Sequence, residues 1–207
     1  MADWYRLDVP ADSAQYVDAC LQPRFTEQDE PRDIRAMGGI AEIAAASRTE
    51  GRAGSRRVAA DLLARPEFAD HDVLYSWLID EQRDPSGALE SLRVGLDRCP
   101  RKRFLLDRLG LVMLRLHHGP EALYYWAQAT GGAIRAGRAD GFSSYLFLAH
   151  VARALGARQA TSQLARRANP EGGGPPIELE PELADEVTRV FEAQRTRPMK
   201  AVVEALA

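Results

Sequence analysis

The segment Asp107-Arg-Leu-Gly-Leu-Val-Met113 is followed, after a short turn, by Gly119-Pro-Glu-Ala-Leu-Tyr-Tyr-Trp126. In the first segment apolar and small residues recur at steps of three and four, which is the spacing of one helix face. Pro120 can begin a second helix, because the N–H that proline lacks is not needed at a helix start. The two segments therefore predict two helices joined by a tight turn.

The same layout occurs once more, earlier in the chain. The interval from Ala88-Leu89 to Ala122-Leu123 equals the interval from Leu92 to Trp126. This interval, about 34 residues with two helices in each unit, is the period of tetratricopeptide repeats. We therefore expect stacked helix pairs, in which each pair buries its apolar face against the next.

In this pattern the chain resembles the tetratricopeptide-repeat (TPR) superfamily. The repeat residues of the unit 103–134 are Leu106, Leu109, Gly110, Met113, Ala122, Trp126 and Ala129. Those of the unit 69–102 are Tyr75, Ser76, Ile79, Ala88, Leu92, Gly95 and Pro100. The first unit lacks the closing proline, the second departs at Asp72, and a weaker unit over 35–68 departs at Glu42. The part from Glu121 to Ala129 is also similar to Sel1-type repeats.

The expected fold class is all-α. The resemblance implies a right-handed helical-repeat solenoid of antiparallel helix pairs, followed by a C-terminal helical segment. A composition rich in Ala, Leu and Arg favours helices as well. The expected segments are an N-terminal arm with a capping helix (1–32), TPR-like helical repeats (33–169), a Pro/Gly linker (170–180) and the C-terminal helical segment (181–207).

Periodicity together with Gly and Pro breaks predicts the individual helices. Ser86 is the expected N-cap before Ala88, and Asp12 or Ser13 is the expected N-cap of the first helix. Gly38-Gly39 indicates either a close approach of two helices or a functional kink. The expected helices span 12–21, 33–48, 54–65, 70–82, 86–98, 102–117, 120–136, 142–155, 157–168, 181–195 and 199–206.

Charge and composition indicate the cellular location of the protein. The net charge of −3 gives no general attraction to nucleic acid or to an anionic membrane. No stretch approaches 18 apolar residues, and the N-terminus lacks the pattern of a secretory signal. Cys20 and Cys99 are isolated and form no C-x-x-C pair, which favours free thiols in a reducing compartment. We therefore expect a cytoplasmic protein without a membrane segment.

Motifs that carry chemistry are not found in the sequence. The adjacent histidines His117 and His118 have no ligand spacing around them, so neither a metal nor another cofactor is expected. The glycine-rich stretches do not have the context of a phosphate loop, and neither cysteine lies in a catalytic signature. The basic residues from Arg98 to Arg103 are explained either by the end of a helix or by an anion site. A non-catalytic role is favoured, and an enzyme with a site assembled from distant residues stays open.

The resemblance also implies a binding surface, because the first helix of each TPR unit lines a concave groove. At the matching positions the groove residues are Asp70, Trp77, Asp80, Glu81, Phe104, Asp107, Leu111 and Arg115. This groove would have an apolar floor, an acidic side and one arginine, which suits a peptide with basic and apolar side chains. The alternative is that Trp77, Phe104 and Leu111 belong to the core between helices.

The expected function is therefore that of a non-catalytic scaffold, in an adaptor, chaperone-like or regulatory role, that binds a protein or peptide in a helical groove. The alternative is an accessory or catalytic protein of a biosynthetic pathway that uses the same helical scaffold. Binding of nucleic acid is disfavoured by the charge balance. The amphipathic helix from Pro181 to Arg195 caps its own repeats, occupies its own groove, or docks on a second copy in a homodimer.

Overall fold

All regular structure in the described part of the chain is helical, which confirms the expected all-α class. The computed structural model describes residues 4–25, 34–79, 84–135, 142–169 and 178–207. None of the helices in these ranges is long and apolar enough to cross a membrane. The α-helices are α1 (Ala14–Leu21), α2 (Ile34–Leu63), α3 (Asp72–Leu78), α4 (Pro85–Arg98), α5 (Arg103–Arg115), α6 (Gly119–Arg135), α7 (Phe142–Ala154), α8 (Arg158–Ala168), α9 (Pro181–Ala193) and α10 (Arg197–Leu206).

The helix ends follow the Gly, Pro and capping residues of the sequence, with one correction. Asp84, and not the expected Ser86, is the N-cap of α4, and its Oδ1 accepts the backbone N–H of Gly87 at 2.9 Å. Pro85 then occupies the first helical position, where it loses no hydrogen bond. Gly156, between α7 and α8, has φ of 73°, a left-handed conformation that glycine adopts without steric cost.

Helix α2 combines the two helices expected over 33–48 and 54–65. Gly51 interrupts it with φ of 66° and ψ of −153°, so the predicted break is present as a kink within one element. Gly39 lies where a Cβ would come within 3.3 Å of Leu62 Cδ1. The parts of α2 before and after Gly51 therefore lie close together at Gly39. This favours the close-approach interpretation of Gly38-Gly39 over a functional kink.

Contacts divide the chain into two compact units. The terminal unit consists of Met1–Phe25 with Met113–Ala207, and the central unit is Thr26–Val112. This grouping brings the first and last parts of the chain into one body. The four segments expected from the sequence divide the chain differently and stay predictions.

The central unit has an apolar core between α2 and α3, which is built from Ile43, Ala59, Leu62, Phe68 and Leu74. Helix α4 then approaches both of its neighbours at Gly95. A Cβ at this glycine would lie 3.1 Å from Tyr75 Cγ on α3 and 3.2 Å from Leu105 Cδ1 on α5. Gly95 therefore allows three helices to meet at closer range than a larger residue would permit.

The terminal unit is organised around Trp126 of α6, whose side chain is fully buried. Its ring stacks on Phe147 of α7 at a centroid distance of 4.6 Å and meets Phe191 of α9 at 6.3 Å. Helix α7 also packs along α8, and α10 contacts α1, α6, α7 and α8. The N-terminal helix and the last helix of the chain are thus neighbours in one core.

Helix α1 does not bury its aliphatic residues Ala14, Val17 and Leu21 as one face. Tyr16 and Cys20 are buried instead, whereas Leu21 is 40% exposed. The Tyr16 hydroxyl donates to the Pro120 carbonyl at 2.6 Å, which directs this face of α1 toward the start of α6. A polar bond between distant residues therefore decides the orientation of a helix with weak amphipathicity.

The C-terminal helical segment is joined to the terminal unit by polar contacts as well as by apolar packing. The Gln194 side chain accepts the Gly119 N–H at 2.8 Å and donates to the His117 carbonyl at 2.6 Å. The Thr196 hydroxyl donates to the Ala11 carbonyl at 3.0 Å. These contacts favour the interpretation in which α9 and α10 cap their own chain. The alternative of a homodimer through this segment stays a prediction.

Replacement of Gly95 by valine tests the close approach of α3, α4 and α5. We expect Gly95→Val to lower the free energy of unfolding by about 1–3 kcal/mol, because its Cβ would crowd Tyr75 and Leu105 and its two methyl groups add further volume there. Gly131→Ala on α6 is the matched control, since no atom lies within 4 Å of its added Cβ. The control should raise the stability by about 0.5–1 kcal/mol through helix propensity. Urea unfolding measures both; an unchanged midpoint for Gly95→Val contradicts the three-helix contact.

Candidate functional site

Three of the sequence-predicted groove residues are accessible in the central unit. Trp77 on α3 is 40% exposed and Phe104 on α5 is 38% exposed, and both are among the large apolar side chains that remain exposed in the described structure. Asp70, just before α3, is also exposed. Trp77 and Phe104 are therefore not buried core residues, and their apolar surface is available to a partner.

The other predicted groove residues lie elsewhere. Asp107 and Leu111 on α5 are 8% and 5% exposed, so for Leu111 the core alternative is the better description. Arg115 belongs to the terminal unit, where its guanidinium forms an ion pair with the Glu186 carboxylate of α9. Glu186 carried no signal in the sequence. The predicted positions Asp80 and Glu81 lie outside the described residues.

The two exposed aromatic residues are held by neighbouring helices that meet at α4. Tyr75, on the same helix as Trp77, and Leu105, directly after Phe104, are the residues that contact Gly95. The Arg103 guanidinium lies over the Phe104 ring at 4.8 Å from its centroid, which is within the range of a cation–π contact. The buried sides of α3 and α5 thus fix the positions of Trp77 and Phe104. Part of each ring remains exposed.

A buried polar cluster lies at the start of α3. The Asp72 carboxylate is 2% exposed and accepts from Arg101 Nη2 at 3.3 Å, and His71 Nδ1 lies 3.9 Å from the same Asp72 oxygen. Neither ring nitrogen of His71 has a hydrogen-bond partner in the described structure. Desolvation, followed by the nearby carboxylates Asp72 and Asp70, raises the pKa of the Cys99 thiol to about 12. A raised pKa favours the protonated thiol at neutral pH, and the thiol is a weaker nucleophile than the thiolate.

One of the basic residues between Arg98 and Arg103 bonds the end of α4, and two others have partners on α3 and α5. Lys102 Nζ donates to the Cys99 carbonyl at 3.0 Å and also to the Leu96 carbonyl. Lysine at the last carbonyls of a helix satisfies acceptors that have no partner within the helix. With Arg101 on Asp72 and Arg103 over Phe104, the helix-end interpretation is better supported than an anion site.

The terminal unit contains a cleft that sequence reasoning missed. It has a volume of about 420 Å³ and lies between α7, α8 and the chain that leads into α9. Most of its wall is apolar, and four polar side chains, His150, Arg153, Thr161 and Glu178, also line it. A partial signal was present in the sequence: between Phe142 and Asn169 there are four arginines and no Asp or Glu.

The electrostatics of the cleft centre on His150. Desolvation lowers the pKa of the His150 imidazole from its ordinary value of 6.5, the positive charge of Arg153 lowers it further, and Glu178 acts in the opposite direction. The lowered pKa favours the neutral imidazole at pH 7, which can donate one hydrogen bond and accept another. Thr161 already donates its hydroxyl to the Ala157 carbonyl at 3.0 Å.

Neither region has the constellation of a known catalytic or metal centre. The described residues contain no cluster of three His, Cys, Asp or Glu side chains that could hold a metal ion. No family model matches the chain, and no curated protein and no solved structure matches it. The exposed aromatic residues of the central unit and the cleft of the terminal unit are therefore the features that bear on function.

Removal of the ion pair between Arg115 and Glu186 tests whether Arg115 stabilises the fold. We expect Glu186→Gln to lower the free energy of unfolding by about 3 kcal/mol, because the largely buried guanidinium loses its counter-charge. The double replacement Arg115→Met with Glu186→Leu should recover most of this loss, since it removes both desolvated charges. Urea unfolding gives both values. If Arg115 were a free groove residue, Glu186→Gln would leave the stability unchanged.

The neighbours of His150 should shift its titration in opposite directions. NMR of the imidazole should give a pKa below 6.5, which rises in Arg153→Gln and falls further in Glu178→Gln. The imidazole has a higher pKa in the unfolded chain than in the folded protein, so the unfolded chain binds the proton more readily. The free energy of unfolding should therefore decrease as the pH falls through 6.5, and His150→Gln should weaken this pH dependence. The same pKa in all three proteins would show that the cleft residues do not interact.

Proposed function

We propose that the protein is a non-catalytic scaffold that binds a peptide segment of a partner protein. The observation that carries this proposal is the exposure of Trp77 and Phe104 on neighbouring helices of the central unit. Tryptophan and other aromatic residues contribute a large share of the binding energy of protein interfaces. A partner that covers the exposed rings removes their apolar surface from water, which favours binding.

The finer architecture is part of the same proposal. We infer that the helices form TPR-like antiparallel pairs in a right-handed solenoid. The regular spacing of the repeat residues supports this inference, as do the close contacts of α4 with α3 and α5 at Gly95. In such a stack the first helices of successive units are neighbours about 8–10 Å apart. In the register of about 34 residues, Phe104 matches position 70, so it lies about 10 Å along the helix axis from the level of Trp77. An extended peptide of about four to five residues spans the combined distance, so one short segment can reach both aromatic side chains.

The ligand is expected to carry apolar and basic side chains. The rings of Trp77 and Phe104 offer apolar surface, and the exposed Asp70 carboxylate adds negative charge. The sequence adds Asp80 and Glu81 at the predicted acidic side of the groove. A cytoplasmic location belongs to this proposal and is supported by Cys20 and Cys99, which are buried free thiols.

Selection of peptides on the immobilised full-length protein, from a random display library, tests the proposal. We expect enrichment of sequences that combine Lys or Arg with large apolar residues. The affinity of one enriched peptide, measured by fluorescence polarisation, should fall about tenfold or more in Trp77→Ala and in Phe104→Ala, as for hot-spot residues. The double replacement should cost less than the sum of the two losses if one peptide contacts both rings.

The matched control is Trp4→Ala in the terminal unit. Trp4 is 38% exposed, so its removal takes away a similar exposed aromatic surface from another part of the chain. The control should bind the selected peptide as the unchanged protein does, and circular dichroism should give the same helicity for all variants. The proposal fails if no peptide is enriched, or if Trp4→Ala weakens binding as much as Trp77→Ala does.

A further inference from the structure

The cleft of the terminal unit has the size and lining of a small-ligand site. Its volume of about 420 Å³ falls within the range of about 300–1,000 Å³ that ligand pockets occupy. Three elements contribute to it: α7, α8 and the chain that enters α9. The apolar part of its wall consists of Leu146, Ala149, Ala165, Leu179, Pro181 and Ala184.

The polar side chains of the cleft favour an anion. Arg153 is exposed at the cleft and forms no ion pair with any described residue. Helices α7 and α8 contain three further arginines, at positions 158, 166 and 167, and no acidic residue. His150 adds a hydrogen-bonding imidazole without a charge of its own. The chain that enters α9 adds acidic residues at positions 178, 180 and 182, so an anionic group in this cleft would meet one available guanidinium, that of Arg153, without a general excess of positive charge.

Glu178 limits the charge of that anion. It is the one carboxylate among the residues that line the cleft. A doubly charged group such as a phosphate would be repelled by Glu178 while only one lining guanidinium attracts it. A singly charged carboxylate has less repulsion to overcome and matches the planar guanidinium with two parallel hydrogen bonds.

We propose that this cleft binds a small amphipathic monocarboxylate, with its apolar body against the alanine and leucine wall and its carboxylate at Arg153. A body of roughly eight to ten heavy atoms suits a pocket near the lower end of the usual volume range. This site lies in the terminal unit and uses none of the residues of the proposed peptide surface. Binding of the carboxylate can therefore be tested independently of peptide binding.

Octanoate is the probe, and it is titrated into the full-length protein at pH 7 while the ¹H–¹⁵N NMR spectrum is recorded. We expect saturable binding at one site, with a dissociation constant on the order of 1 mM or tighter. The amide signals of α7, α8 and the start of α9 should shift. Octanol, which has the same chain without the charge, should bind about tenfold more weakly, because it lacks the charge-assisted bonds to Arg153.

Two variants separate a specific site from general attraction by positive charge. Arg153→Gln should weaken octanoate binding about tenfold, whereas Arg158→Gln, which removes an exposed arginine outside the cleft lining, should leave it unchanged. Equal losses in the two variants would overturn the proposal in favour of non-specific charge attraction. Octanol binding as tightly as octanoate would overturn the assigned role of the carboxylate.

A third variant tests the location of the apolar body. Ala184→Phe places a ring in the cleft at a half-buried position of α9, and it should abolish binding. Its thermal unfolding should remain cooperative, so that loss of binding is not loss of the fold. Undiminished binding by a folded Ala184→Phe protein would mean that octanoate lies elsewhere and that the proposal is wrong. The selected peptide should bind all of these variants normally.

Discussion

The stacking of Trp126 is the interaction on which the terminal unit depends. The indole lies parallel to Phe147, with an interplanar angle of 4°, and also meets Phe191, so that α6, α7 and α9 share one aromatic cluster. Aromatic side chains bury large areas, and their pairs add stabilisation beyond that area. Since Phe191 is far from Trp126 along the chain, this cluster also joins the C-terminal segment to α6 and α7. The cleft of the terminal unit owes its position to the same cluster, because α7 and α9 form two of its sides.

Two glutamine amides complete the unit around the aromatic cluster. Gln128, which follows Trp126 closely on α6, donates to the Cys20 and Gln22 carbonyls at 3.0 and 2.9 Å and accepts the Arg24 N–H at 2.8 Å. It therefore satisfies the carbonyl groups at the end of α1, which have no partner within the helix. Gln194 does the same for the turn between α5 and α6, where His117 has the unusual φ of 58°. Buried backbone groups without such partners would destabilise the fold, so apolar packing and amide bonds act together.

The sequence predicted the local structure well and the long-range structure poorly, for physical reasons. Helix bounds depend on nearby residues, and the breaks at Gly51 and Gly156 were therefore readable, although the N-cap of α4 is Asp84 and not the expected Ser86. The buried face of α1 was not, since its orientation depends on a hydrogen bond from Tyr16 to a residue 104 positions away. For the same reason Arg115 looked like a groove residue, although its partner Glu186 lies 71 positions further on. The exposure of Trp77 and Phe104 was one of two alternatives that the sequence left open, whereas the cleft around Arg153 combines residues from three elements and matched no motif.

The two candidate surfaces differ in the way that they use exposed polar and apolar groups. In the central unit, Gly95 lets α3 and α5 approach α4 closely, and Trp77 and Phe104 remain about 40% exposed. Aromatic surface of this kind gains most from a large partner that excludes water from it. In the terminal unit, the apolar wall is concave and the Arg153 guanidinium lies beside it. This arrangement favours a small ligand with an enclosed apolar body and a charged group near solvent. Because each surface is built from the core of its own unit, a change in one ligand site need not disturb the other. The two proposals are therefore compatible with each other, because each assigns its ligand to a surface in a different unit.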